Sequence, residues 1–313
     1  VNVIGWLLDS DPAIRWQVMR DLTDAPGDEV NAERAKVATQ GWGARLLALQ
    51  ATDGRWGGGT YLPLWTSTTF TLLLLRELGL DPSSQEARRA IALVHDNARW
   101  EYDNLPYFGG EVEPCINGEA VAIGAYFGKD VQGIVDRLVG DQMDDGGWNC
   151  EQEIGSTRGS FHSTIDVLDG LLEYERATGG STAVRAARLH GHEYLLKRRM
   201  LRRLSTGEVI DPAFTAFSFP HYFYYDILRG LDYLRRAGVE PDARAAEAIG
   251  IVEGKRDDTG RWQLENRHVP MYPDVPVAEG EVHFEMDGGE GKPSRWNTLR
   301  AMRVLRWWAD GPR

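Results

Sequence analysis

Cysteine is scarce: Cys115 and Cys150 are the two in 313 residues. So few cannot staple a chain of this size. That excludes a disulfide scaffold, and the pair reads as free thiols in a reducing compartment or as metal ligands. A cytoplasmic location is the matching expectation. Basic charge is also in short supply, with 35 lysines and arginines against 47 aspartates and glutamates, a net charge of −12. Such a surface repels phosphate backbones, so no nucleic-acid partner is expected. Long apolar runs are missing. The most apolar stretch, TFTLLLLRELGL (69–80), is broken by Arg76 and Glu77 and falls short of the roughly 18 residues of a membrane span. The opening VNVIGWLLDSDPAIRW has no basic region ahead of an apolar one, so no signal peptide is expected. Strand-like alternation is confined to EVHFEM (281–286).

Tryptophan, by contrast, is abundant, with 11 residues. Three segments resemble one another: LLALQATDGRWGGG (46–59), LVGDQMDDGGWNCE (138–151) and IVEGKRDDTGRWQLE (251–265). Each runs from an apolar helix end through an Asp/Gly turn to a tryptophan, and Trp56, Trp148 and Trp262 are 92 and 114 residues apart. A degraded copy surrounds Trp100. Halving the gaps gives a period of about 50, the signature of a repeat architecture. Each repeat reads as a helix, the turn, a loop and a second, more apolar helix. The second helices are expected at 66–79, 116–128, 162–177, 221–238 and 295–309. The first helices are expected to begin near Gly41, Gln85, Gln132, Thr182 and Pro241. A further hairpin, 11–22 and 27–39, precedes them, with Asp11-Pro12 as its start signal. Six hairpins make an all-α fold in one domain over 1–313. The second helices are apolar almost all round, as the inner wall of a closed α/α toroid would be, in preference to an open solenoid. The proline- and glycine-rich insert 263–294 reads as a lid-like loop.

The turns QATDGRW, QMDDGGW and KRDDTGRW resemble the QW-type repeat of the squalene cyclase and protein prenyltransferase superfamily. The resemblance implies the α/α toroid, a central cavity and a largely apolar, isoprenoid-like substrate. The Asp-x-Asp-Asp motif with which the cyclases protonate an alkene is not matched: DQMDDGG (141–147) and RDDTG (256–260) lie in the repeat turns. The site pattern resembles the prenyltransferase β subunit, which holds zinc with Asp-x-Cys at one inner helix start and His at the next. Here those places carry Glu113, Cys115 and His162. The resemblance therefore implies a Zn²⁺ site of carboxylate, thiolate and imidazole with an open position for a thiol or water. It also implies a protein partner subunit. The family's basic residues before the cysteine are absent, since PYFGGEVEPC has neither Lys nor Arg.

The residues leave other readings open. Taken singly, Cys115 and His162 are ordinary core residues. His268 and His283, in the insert, are further ligands if it folds over the ring. Asp166 lies four residues after His162, and Asp226 four after Tyr222, so the two aspartates read as an acid/base pair on adjacent inner helices. The last repeat places Trp296 and Arg300 there, and Arg300 reads equally as a structural partner of an aspartate. Trp65 and the aromatic run with His221, Tyr222 and Tyr225 read either as wall packing or as a substrate lining. Four functions compete: a zinc-dependent transferase-like toroid, a metal-free isoprenoid cyclase or isomerase using the Asp pair, a carbohydrate-active toroid with an open groove, and a binding scaffold without chemistry.

Overall fold

The computed structural model describes residues 2–268 and 282–311. Among these described residues thirteen α-helices follow one another: α1 (Val3–Leu8), α2 (Pro12–Asp21), α3 (Gly27–Ala35), α4 (Gly41–Ala48), α5 (Thr68–Leu78), α6 (Gln85–Asn97), α7 (Pro114–Tyr126), α8 (Gln132–Gly140), α9 (Phe161–Thr178), α10 (Thr182–Lys197), α11 (Ile227–Arg236), α12 (Ala246–Gly254) and α13 (Arg295–Asp310). The helix pairs expected from the periodicity are present, and the chain is all-α.

The order of burial sorts the helices into two rings. On α6 only one stripe, Ala87, Ala90, Ile91 and Val94, is buried, the i, i+3, i+4, i+7 pattern of a helix with one wet face. On α7 every residue from Ile116 to Ala125 is buried, as a helix surrounded by protein must be. The inner ring is α2, α5, α7, α9, α11 and α13. It closes: Trp16 of α2 donates to Leu78 of α5 (2.9 Å), Arg229 of α11 pairs with Asp166 of α9 (2.6 Å), and Arg303 of α13 reaches both Asp232 of α11 (3.3 Å) and Gln17 of α2 (2.8 Å). Outside it run α4, α6, α8, α10 and α12.

The tryptophan turns fasten the two rings in one repeated geometry. Trp56, Trp148 and Trp262 are fully buried and donate their indole N–H to the carbonyls of Leu46, Leu138 and Val252, each ten residues back, at 2.8, 2.7 and 2.7 Å. Their backbone N–H groups donate to Thr68, Thr164 and Thr298 on the next inner helix. Gln50 and Gln142 each bond across their own turn and to the neighbouring outer helix, at Ala90 and Ala187. The third turn has Lys255 there, which pairs with Glu265 at 2.5 Å instead.

Two expectations fail. Val282–Met286 form no strand, and among the described residues β pairing is limited to isolated bridges. An alternating segment needs a free edge to pair with. Here it meets side chains at the ring's mouth, His283 contacting Thr71 (2.8 Å) and Phe284 lying under Arg45 (3.7 Å). The fifth inner helix starts at Ile227, not at 221, because Asp226 caps it by accepting from Arg229 N (2.7 Å). Residues 217–226 are an aromatic loop across the mouth. The centre of the insert, 269–281, lies outside the described residues.

Candidate active site

Counting from each helix cap locates the central chemistry. Glu113 caps α7 and Ser160 caps α9, and Glu119 and Asp166 are each the sixth residue beyond the cap. The two helices cross almost backbone to backbone. A Cβ on Gly118 would stand 2.6 Å from the Asp166 carbonyl, and one on Gly170 would strike the Gly118 carbonyl. Only glycine permits that approach. Glu119 and Asp166 thus line one axial cavity, with Phe70, Leu73, His221, Tyr222 and Arg229. It is a narrow space of about 460 Å³.

Glu119 is 3% exposed, and neither carboxylate oxygen has a hydrogen-bond partner among the described residues. Burial raises its pKa well above the ordinary glutamate value, and the nearby Asp166 charge pushes the same way. Asp166 is raised to about 7, chiefly by burial, against the pull of Arg229. Asp169, wholly buried like its neighbour, is held far below the usual range because Arg236 and Arg229 outweigh its desolvation. One guanidinium, that of Arg229, therefore sits between Asp169, held low, and Asp166, held high, with Glu119 raised beside them. His221 is kept neutral by burial and by Arg229 and Arg300. Its Nδ1 lies 3.0 Å from the Tyr222 carbonyl. A carbonyl only accepts, so Nδ1 carries the hydrogen and Nε2 keeps a lone pair.

Above this cavity lies an aromatic vestibule of about 700 Å³ under the described ends of the insert. Trp65 and Tyr222 stack there at 3.9 Å, both with left-handed backbones, at φ 71° and 49°. Such conformations cost of order 1–3 kcal/mol each and persist where the surroundings over-determine them. His268 accounts for part of that: it stacks on Tyr224 at 3.9 Å, and its carbonyl accepts from Trp65 Nε1 at 2.9 Å.

The remaining expected site residues are placed elsewhere. Asp226 does not join Asp166. It caps α11, accepts from Ser218 (3.2 Å) and lies 3.8 Å from Arg300. Arg300 donates to the Ser218 carbonyl at 2.9 Å, which places it behind the loop beside Asp226. Trp296 stacks on Phe219 at 4.1 Å behind the loop. Tyr225 points away, donating to Met200 O (2.7 Å) among Phe161 and Phe214. Cys115 stands 3.6 Å from Glu113 but is bonded to Cys150, tying the start of α7 to the turn after Trp148 across a Cα–Cα distance of 6.4 Å. His162 lies outside that cluster. Its Nδ1 accepts from Tyr225 N (2.8 Å), and burial pushes it down to about 4. Glu113, Cys115 and His162 do not gather as one ligand set, and sulfurs bonded to each other offer zinc no thiolate. The donors that do gather are Glu113, Cys115 and Cys150, and these fit a zinc ion only in the reduced chain.

No family model matches the chain. No curated protein matches it either. Among solved structures it is similar to the type II terpene cyclase MstE from Scytonema in its apo form, at 18% identity over 94% of this chain and 86% of that one, with a TM-score of 0.44. It is similar also to a substituted MstE in complex with its substrate geranylgeranyl dihydroxybenzoate, at 18% identity over 95% and 86%, with a TM-score of 0.45. No described helix is long and apolar enough to cross a membrane.

Proposed function

We propose that this protein is a metal-free, proton-transferring cyclase or isomerase of a largely apolar, isoprenoid-like substrate, with Glu119 as the acid. One observation carries the reading: a buried carboxyl group with no hydrogen-bond partner among the described residues lines a cavity with Phe70, Phe219 and Tyr222, beside Asp166. An acid kept neutral by apolar surroundings still carries its proton near neutral pH, and so has one to donate where an ordinary ionised glutamate has none. The proton leaves Glu119 for an alkene carbon. The carboxylate left behind is stabilised by Arg229 and Arg76. The resulting carbocation lies among the π faces of Phe70 and Tyr222. Loss of a proton to His221 Nε2 ends the reaction as an isomerisation, with no co-reactant. The His221 imidazolium then returns that proton to Glu119, which lines the same cavity, and the cycle closes with Asp166 held against Arg229 throughout.

The narrow, apolar lining disfavours a sugar groove, and no step is routed through zinc. Substrate entry requires the 217–226 loop to move, because its Phe219, Pro220, His221 and Tyr222 wall the cavity. The test is incubation with acyclic C15 and C20 polyenes in D₂O. The wild type should give cyclic or isomerised products carrying one deuterium, and Glu119→Gln none. Undiminished activity in Glu119→Gln would remove the acid from the scheme.

A further inference from the structure

The mouth opposite the aromatic vestibule opens into a basin where the inner helices end. It is a broad concavity of about 1320 Å³, open to solvent. Seven arginines line it against four carboxylates, Asp21, Glu77, Glu173 and Asp232, in a chain of net charge −12. A concavity with an excess of one sign focuses the field and draws counter-ions.

Helix C-termini attract cations, and this explains some of the arginines. Arg34 donates to Gly79 O (2.8 Å) and Arg176 to Arg236 O (2.7 Å), closing the ends of α5 and α11. The others carry more N–H groups than their partners use. Arg76 is 7% exposed. Its Nη2 bonds Glu77 at 2.7 Å, but Nε and Nη1 have no partner among the described residues. Arg235 Nη2, Arg236 Nε and Arg303 Nε are likewise without a hydrogen-bond partner. Buried donors left unmade are costly, and planar N–H forks match phosphoryl oxygens. These donors lie beneath the basin's surface, so an anion meets them as the guanidinium groups turn toward it, and surplus donors on three helices with an excess of positive charge favour an anion with several oxygens over a single carboxylate.

We propose that this basin binds a compact anion of the phosphate class through Arg76, Arg235 and Arg303, with Arg20 at the rim. Arg76 also borders the acid cavity, but the proposal does not depend on the reaction proposed there. The experiment is isothermal titration of inorganic diphosphate into the purified chain at fixed ionic strength. Saturable binding of one anion per chain is expected, weakened at least tenfold in Arg235→Gln and unchanged in Arg199→Gln, a side chain 57% exposed outside the basin. Arg303 ties three helices together, so Arg303→Gln is read only if its circular dichroism matches the wild type. Arg235→Gln and Arg20→Gln, at side chains 18% and 47% exposed, carry the test otherwise. Comparing orthophosphate with decyl phosphate separates a free anion, bound equally, from the head group of an amphiphile, bound more tightly as the ester. No saturable heat with the wild type, or equal affinity in Arg235→Gln and Arg20→Gln, overturns the proposal and leaves the arginines as helix-end compensation.

Discussion

Glu119→Gln changes one oxygen to an amide nitrogen in a side chain whose oxygens have no partner, so no described contact is lost. An unfolded glutamate titrates near 4.3, whereas burial and Asp166 hold the folded one well above its ordinary value. Between those two values the folded protein keeps a proton that the unfolded chain releases. Stability therefore falls as pH rises through that window, by about 1.4 kcal/mol per pH unit. Asp166 adds a slope of the same sign, ending near its folded value of about 7. Buried imidazoles act oppositely. His162 and His192, pushed down to about 4, and His268, to about 3, contribute stability that is full above the unfolded histidine value and lost as pH falls. The difference between wild type and Glu119→Gln cancels these shared contributions. From pH 5 to pH 6 the variant should gain about 1.4 kcal/mol relative to wild type. Urea unfolding followed by tryptophan fluorescence measures it, provided the m-value is unchanged. Parallel stability curves, or a variant that loses ground as pH rises, would refute the assignment of the proton to Glu119. If the proposed reaction holds, the same variant should lose about 10²–10⁴-fold in turnover.

Other consequences are open to direct measurement. Arg229→Ala strips a wholly buried counter-charge from Asp166 and Asp169 and should cost about 3–5 kcal/mol in urea unfolding. Trp148→Phe keeps a ring but loses the bond to Leu138, a loss of about 1 kcal/mol, and Trp148→Ala should cost about 3–5 kcal/mol. Denatured, unreduced protein should show no reactive thiol, and reduced protein two, because Cys115 and Cys150 are paired. Zinc taken up after reduction should be lost in Cys150→Ser and retained in His162→Ala, the reverse of what a Glu113, Cys115 and His162 site requires.

The architecture was legible because its signals are periodic. The Asp/Gly turns and their tryptophans recur with the same hydrogen bonds, and the outer helices begin at Gly41, Gln85, Gln132 and Thr182 as the pattern predicts. The site was less legible because register decides it. Counting from His162 aligned Asp166 with Asp226, whereas counting from the caps aligns Asp226 with Ser160 and brings Glu119 level with Asp166. The signal for Glu119 was available: it is the only charged residue in PCINGEAVAIGAY, a helix buried on every side. The pairing of Cys115 with Cys150 was not readable, because a turn and a helix start 35 residues apart meet only through the close crossing of α7 and α9.

That crossing also fixes where the cavity can be reshaped. With Gly118 and Gly170 in contact and no room for a methyl group on either, the spacing of the two acids is set by main chain, and side-chain redesign on that wall has nothing to adjust. The opposite wall is different in kind. Phe219, Pro220, His221 and Tyr222 come from a loop, and Phe284 and Met286 from the insert. Laboratory evolution toward bulkier ligands should accumulate its changes there and leave the glycine seam untouched.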